Sequence, residues 1–261
     1  MITIYWGISP QTAPEGLRVA PPVSIMNNFL KTRMTKEKEE EGMNYNRCPA
    51  FTNELSNIYG MKSPYDYYIT IDGDQVSTSF SKKTIGQPPR GDIDFFNQHV
   101  SVRSRLGNLF SFQQGFVFFT ERPSLMMSQL PAFMEDNTTV KNTICIPGQF
   151  DIGKYFRTLD FAWHFRDGCK TIEFNRKEIT FYLKFHTKEK IKFKRFLFTE
   201  ELSKLNGIMG QVKNRKEPER VITKALDFYY NIFDKYNFKN KMLKIIKENL
   251  CKEEDLEGNV I

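Results

Sequence analysis

The 261-residue chain carries 38 Lys and Arg against 31 Asp and Glu, a formal charge of +7, and is 40% hydrophobic and 14% aromatic. That apolar content excludes an intrinsically disordered chain and supplies a core. No apolar run approaches the roughly 20 residues of a membrane helix, so no membrane association is expected. The charge is spread along the chain without a recognised nucleic-acid module, which makes nucleic acid the less favoured partner.

The opening "MITIYWGISP" lacks a basic start and a long apolar core, so it is not expected to be a signal peptide. "ITIYWG" reads as a first strand ended by Gly7 and Pro10, followed by a proline-punctuated loop at "APEGLRVAPPVS". "IMNNFLKTRM" predicts a short helix and "TKEKEEEGMNYN" a solvated loop. Phe51, Leu55 and Ile58 recur at helical spacing, with Gly60 as the stop. "YDYYITID" and "QVSTSF", joined by "DGD", read as a hairpin, with "IGQPPRGD" as a loop after it.

From His99 onward "HVSVRS", "GFVFFTE", "NTICIPG", "DFAWHFRD", "KTIEFN", "ITFYLKFH" and "KIKFKRFLF" are short aromatic or β-branched runs separated by turn residues. Asp167-Gly168 predicts a hairpin between two of them, and the last four runs predict a meander. Thr199 is a helix cap, and Val221, Leu226, Tyr229, Phe233 and Tyr236 fall at helical spacing before a short basic helix. The expectation is an α+β fold, mainly antiparallel β, sandwich or jelly-roll-like. A β-rich domain spans 1–198 and a helical appendage packed on it spans 199–261, fraying at its end.

Chemistry-bearing motifs are scarce. Cys48, Cys145, Cys169 and Cys251 form no C-x-x-C pair, and so few cysteines fit a reduced cytosolic protein. His99, His164 and His186 lack the His-x-Asp or His-x-Glu spacing of an oxygenase metal site, so no metal or cofactor is expected. No nucleophile elbow, P-loop or dinucleotide fingerprint occurs.

The densest mixture of aromatic and basic side chains is "PGQFDIGKYFRTLDFAWHFRDGCKTIEF". Within it Phe161, Trp163 and Phe165 alternate with Ala162, His164 and Arg166, so the aromatic face is expected to be core. Lys154, Arg157, His164 and Arg166, with Tyr155 and Phe156, form the candidate ligand or partner surface. Arginine offers paired donors to an anion and rings offer stacking area, while Gly148 and Gly153 permit close backbone approach. The competing reading is a solvated sheet face whose bases are neutralised by Asp151 and Asp160. The tail around Tyr229, Phe233 and Tyr236 is the alternative surface.

The segments "IYWGISP", "CPAF", "KSPYDY", "PGQFDIGKYFR" and "ITFYLKFHT" resemble a group of uncharacterised proteins from tailed bacteriophages, over residues 1 to about 190. The resemblance implies a phage source and carries no mechanism and no catalytic residue. The expected function is an accessory binding protein of host-takeover or anti-defence type, acting in the host cytoplasm on a host or phage protein or a small anionic ligand. A virion subunit (neck, tail or decoration) is the alternative, and an enzyme with a site assembled from scattered residues is the second.

Overall fold

The computed structural model describes residues 1–9, 20–29, 48–63, 66–72, 75–80, 100–102, 109–176, 178–214 and 225–252. His99, residues 31–47 and 81–99 with the loops expected there, residues 73–74 of the expected turn, the stretch 215–224 and the end beyond 252 lie outside them. The fold is α+β with mainly antiparallel sheets and a C-terminal run of helices.

One sheet has the order β15–β1–β8, built from β1 (Ile2–Ile8), β8 (Phe116–Thr120) and β15 (Ile191–Arg195). A second has the order β11–β9–β14–β3–β2: Gly148–Asp151, Met126–Pro131, Ile179–Phe185, Ile58–Lys62 and Val23–Ser24. A third orders β10 (Thr143–Cys145), β12 (Asp160–Phe165), β7 (Leu109–Gln113) and β6 (Val100–Val102). The fourth places β13 (Thr171–Phe174) and β5 (Gln75–Phe80) on either side of β4 (Tyr67–Asp72). Residues 25–29 are helical, as "IMNNFLKTRM" predicts, and after them come α1 (Pro49–Glu54), α2 (Thr138–Asn142), α3 (Glu200–Asn214), α4 (Ala225–Lys235) and α5 (Phe238–Glu248).

The predicted β4–β5 hairpin is present, with Asp72 opposite Gln75. The predicted meander is not. Strands β12, β13, β14 and β15 go to four different sheets, and β15 pairs with β1 in parallel, Ile2 opposite Ile191. Gly168 does form a turn, at φ 78° with Cys169 N–H donating to Arg166 O at 3.0 Å. No hairpin closes there because both hydrogen-bonding edges of β12 are already occupied, by β10 and by β7. The predicted helix through Ile58 also stops early. Asn57 takes a left-handed conformation at φ 56°, and Ile58 begins β3, where Gly60 lies under the Ile179 side chain.

β8 shows how the layers stack. All five residues of "FVFFT" are buried, the pattern of a strand covered on both faces. Phe116 and Phe118 meet Phe181 and Phe185 of β14, while Phe119 meets Phe156 and, on α4, Phe233. The β1 sheet is therefore a middle layer between the β14 sheet and the helices. Trp163 on β12 packs edge-on against Phe174 of β13, and Phe161 meets Phe181 at 4.1 Å between ring centres. Leu202, Met209, Phe233 and Ile246 of the helices belong to the same buried cluster as these strands.

Thr199 caps α3 by accepting from Leu202 N–H at 3.2 Å, with Glu200 and Glu201 in the first turn. The chain then returns to the sheet: Leu197 N–H donates to Asn249 O and Cys251 N–H to Arg195 O, both at 2.9 Å. The tail is thus pinned as far as Cys251, and most of "CKEEDLEGNVI", which the sequence predicts to fray, lies outside the described residues. Among the described residues no helix is long and apolar enough to cross a membrane.

Candidate functional site at the sheet–helix junction

Residues 152–159 leave β11 and cross to β12 beneath the helices. The crossing starts with a tight turn, in which Gly153 N–H donates to Asp151 Oδ1 at 2.8 Å and Lys154 N–H to Asp151 O at 3.1 Å. A Cβ on Gly153 would lie 2.6 Å from the backbone oxygen of Arg122, so the turn needs glycine. The Tyr155 ring then stacks on Phe150 at 4.4 Å and meets Tyr229 of α4 at 5.5 Å. Phe156, fully buried, packs among Phe119, Phe196 and Phe198. The Arg157 guanidinium lies 5.6 Å from the centre of the Tyr155 ring.

The six predicted surface residues do not form one patch. Lys154 reaches Asp234 on α4 at 2.5 Å and is the only one of the first four with a substantially open side chain. Tyr155, Phe156 and Arg157 are 8%, 0% and 6% exposed. The aromatic part of the expected surface is therefore interior, because α4 lies over it. His164 is half-buried between Ile144 and Leu109 in the β12 ladder, and exposed Arg166 donates its N–H to Asn142 O at the end of α2. At ~3.3 Å per residue along a strand, His164 stands about 13 Å beyond Asp160, away from the junction. The alternation of β12 does hold: Phe161, Trp163 and Phe165 are buried, while Ala162 and His164 are not. Of the alternative tail surface, Tyr229 and Phe233 are buried and only Tyr236 is exposed.

The junction gathers ionisable groups from distant parts of the chain. Tyr230 on α4 accepts from Asp151 N–H at 2.8 Å. Burial holds the Asp151 carboxyl above its usual value despite the Gly153 N–H and the nearby Lys154 and Lys239 charges, and burial holds the Lys239 ammonium below its own. Burial also raises the Tyr155 and Tyr229 phenols, with the Arg157 charge opposing, and pushes Tyr230 up to about 12. Nearby, Tyr5 donates to Glu121 at 2.6 Å and Lys247 of α5 pairs with the same carboxylate at 3.0 Å; these two bonds hold Glu121 below its usual value.

Arg157 stands apart in this group. Its Nε makes no hydrogen bond, and it forms no ion pair with any carboxylate among the described residues. A buried donor left without a partner costs about 1–3 kcal/mol, and among the described residues the Tyr155 ring lies beside this guanidinium. Elsewhere Cys145 is buried, accepts from Gln129 Nε2 at 3.0 Å, and is pushed up to about 12 by burial, which makes it unreactive. The four cysteines are free, and among the described residues no three His, Cys, Asp or Glu side chains converge as a metal site.

Tyr229, Tyr230, Asp234 and Lys239 are junction residues that sequence reading does not connect to "GKYFR". The helical spacing of Tyr229 and Phe233 marks an apolar face, but nothing local says that this face covers residues some seventy positions earlier. No family model, no curated protein and no solved structure matches the chain.

Proposed function

We propose that the protein is a binding module for an anionic group, a phosphate or carboxylate, that pairs with Arg157. The observation that carries this is the buried guanidinium with an unused Nε donor and, among the described residues, no ion-pair partner. A planar fork of this kind takes two oxygens of one anion and suits no cation. Tyr155 and Tyr229 supply aromatic walls whose hydroxyls stay protonated at neutral pH and are able to donate to the same anion. With the resemblance to tailed-phage proteins, the proposal describes an accessory protein of an infecting phage, working in the host cytoplasm on a small anionic ligand.

Thermal unfolding in inorganic phosphate tests it. Phosphate strengthens burial in any protein, so the comparison is with Arg157→Met, which replaces an unpaired buried charge by an apolar chain of similar length. Without anion the variant should be as stable as wild type or more so. At a concentration about 100-fold above Kd, a specific site adds about 2.7 kcal/mol, or about 5–10 °C at 2–4 °C per kcal/mol for a chain of this size. Arg157→Met should lose that increment, and Arg157→Lys, which keeps the charge and loses the fork, should show a smaller one. Equal phosphate shifts in all three proteins would refute the proposal.

A further inference from the structure

The outer face of the β14 sheet, turned away from the C-terminal helices α3–α5, carries a second cluster that the junction does not use. Gln149 on β11, Ser128 on β9 and Lys184 on β14 lie directly opposite one another across three adjacent strands. Ser128 Oγ is 2.7 Å from His186 Nε2, and Gln149 Nε2 lies 3.2 Å from that oxygen and 3.1 Å from that ring nitrogen. The imidazole is set by its own backbone: His186 N–H donates to Met126 O and Phe185 N–H to Asn57 O, both at 3.0 Å. Asn57 also holds the following turn by donating to Thr187 O at 2.6 Å.

One assignment satisfies all three groups. An amide nitrogen only donates, so Gln149 Nε2 donates to Ser128 Oγ, Ser128 donates its hydroxyl hydrogen to the lone pair of His186 Nε2, and the hydrogen of His186 sits on Nδ1. That is the arrangement of a serine nucleophile with a neutral base already in contact. Burial and the Lys184 ammonium hold the ring below its usual value, with Glu54, the ion-pair partner of Lys184, opposing. The imidazole is thus neutral at pH 7, the form a general base requires.

We propose that Ser128, His186 and Gln149 form an esterase site for accessible carboxylic esters. Ser128 Oγ bonds to the acyl carbon while its proton passes to His186 Nε2. Gln149 Nε2, within 3.2 Å of the nucleophile, donates to the oxyanion. The ester C–O bond then breaks, and the leaving alkoxide takes the proton from His186. Water, deprotonated by the same imidazole, adds to the acyl carbon; the bond to Ser128 Oγ breaks, Oγ takes the proton back from His186 Nε2, and the carboxylic acid leaves. No redox partner enters the cycle. Ser128 is nearly buried while Gln149 and His186 are exposed, so a substrate reaches the hydroxyl from the solvent side.

A fluorophosphonate probe on the full chain reads this directly. Wild type should form one covalent adduct, located on Ser128 by peptide mass spectrometry. Ser128→Ala should abolish it, His186→Ala should slow labelling by about 100-fold or more, and Gln149→Ala should slow it less. Circular dichroism of each variant separates loss of labelling from loss of fold. A wild-type chain with no adduct on Ser128, or one labelled at an unchanged rate after His186→Ala, overturns the assignment.

Discussion

β12 and the crossing that precedes it, residues 152–159, are both largely buried, but for different reasons. In β12 burial alternates residue by residue, because a pleated strand turns one face to the core. In the crossing Ile152, Gly153, Tyr155, Phe156, Arg157, Thr158 and Leu159 are all buried and only Lys154 is partly open. No local period accounts for that. The cover comes from α4 and α5, which reach the crossing from the far end of the chain. A strand carries its own burial instruction, whereas an irregular segment receives one from whatever docks on it.

The largest effects come from emptying the core on each side of this comparison. Trp163→Ala in β12 and Phe156→Ala in the crossing should each cost about 3–5 kcal/mol in urea unfolding, a large share of the ~5–15 kcal/mol of a typical protein. Both side chains are at most 1% exposed. A loss under about 1 kcal/mol for Phe156→Ala would break the parallel and mark the crossing as a loosely docked flap.

The two glycines of "PGQFDIG" sharpen it at smaller scale. Gly153→Ala drives a Cβ to within 2.6 Å of Arg122 O, whereas an added Cβ on Gly148 meets nothing within 4 Å. The first substitution should cost about 1–3 kcal/mol, as overpacking does, and the second should stay within about 0.5 kcal/mol. Equal values from chemical denaturation would mean that the turn at Asp151 relaxes freely.

The same contrast separates what the sequence discloses from what it hides. The burial of Phe161, Trp163 and Phe165, the β4–β5 hairpin, the Thr199 cap and the α+β class are legible, since each rests on neighbours in the chain. The destinations of β12 to β15 are not, because alternation names the strand and its faces but leaves the partner open; "RDGCK" turns the chain as its composition says and then leads into another sheet. Strands β7, β9 and β11 escape notice because "LFSFQ", "MMSQLP" and "GQFD" mix polar residues into short runs. Of the candidate surface, the concentration of basic and aromatic residues at 154–157 is legible, but its enclosure by Tyr229 and Tyr230 is not. "GKYFR" therefore reads as an exposed platform when all of its members but Lys154 are interior.

The smallest expected effect is the ion pair between Lys154 and Asp234. It joins the one open residue of the crossing to the helix that covers its neighbours, so it has the look of a clamp. The side chains are 30% and 54% exposed, however, and the interaction is screened by water and salt. A double-mutant cycle of Lys154→Ala and Asp234→Ala should give a coupling of about 0.2–1 kcal/mol, falling as salt is raised. The contacts of α4 with Tyr155 and Phe119 are aromatic, buried and indifferent to salt, and they should retain the helix when the pair is gone. A coupling above about 2 kcal/mol would reverse that order. The helix would then be held by charge, and the burial of Arg157 beneath it would vary with ionic strength.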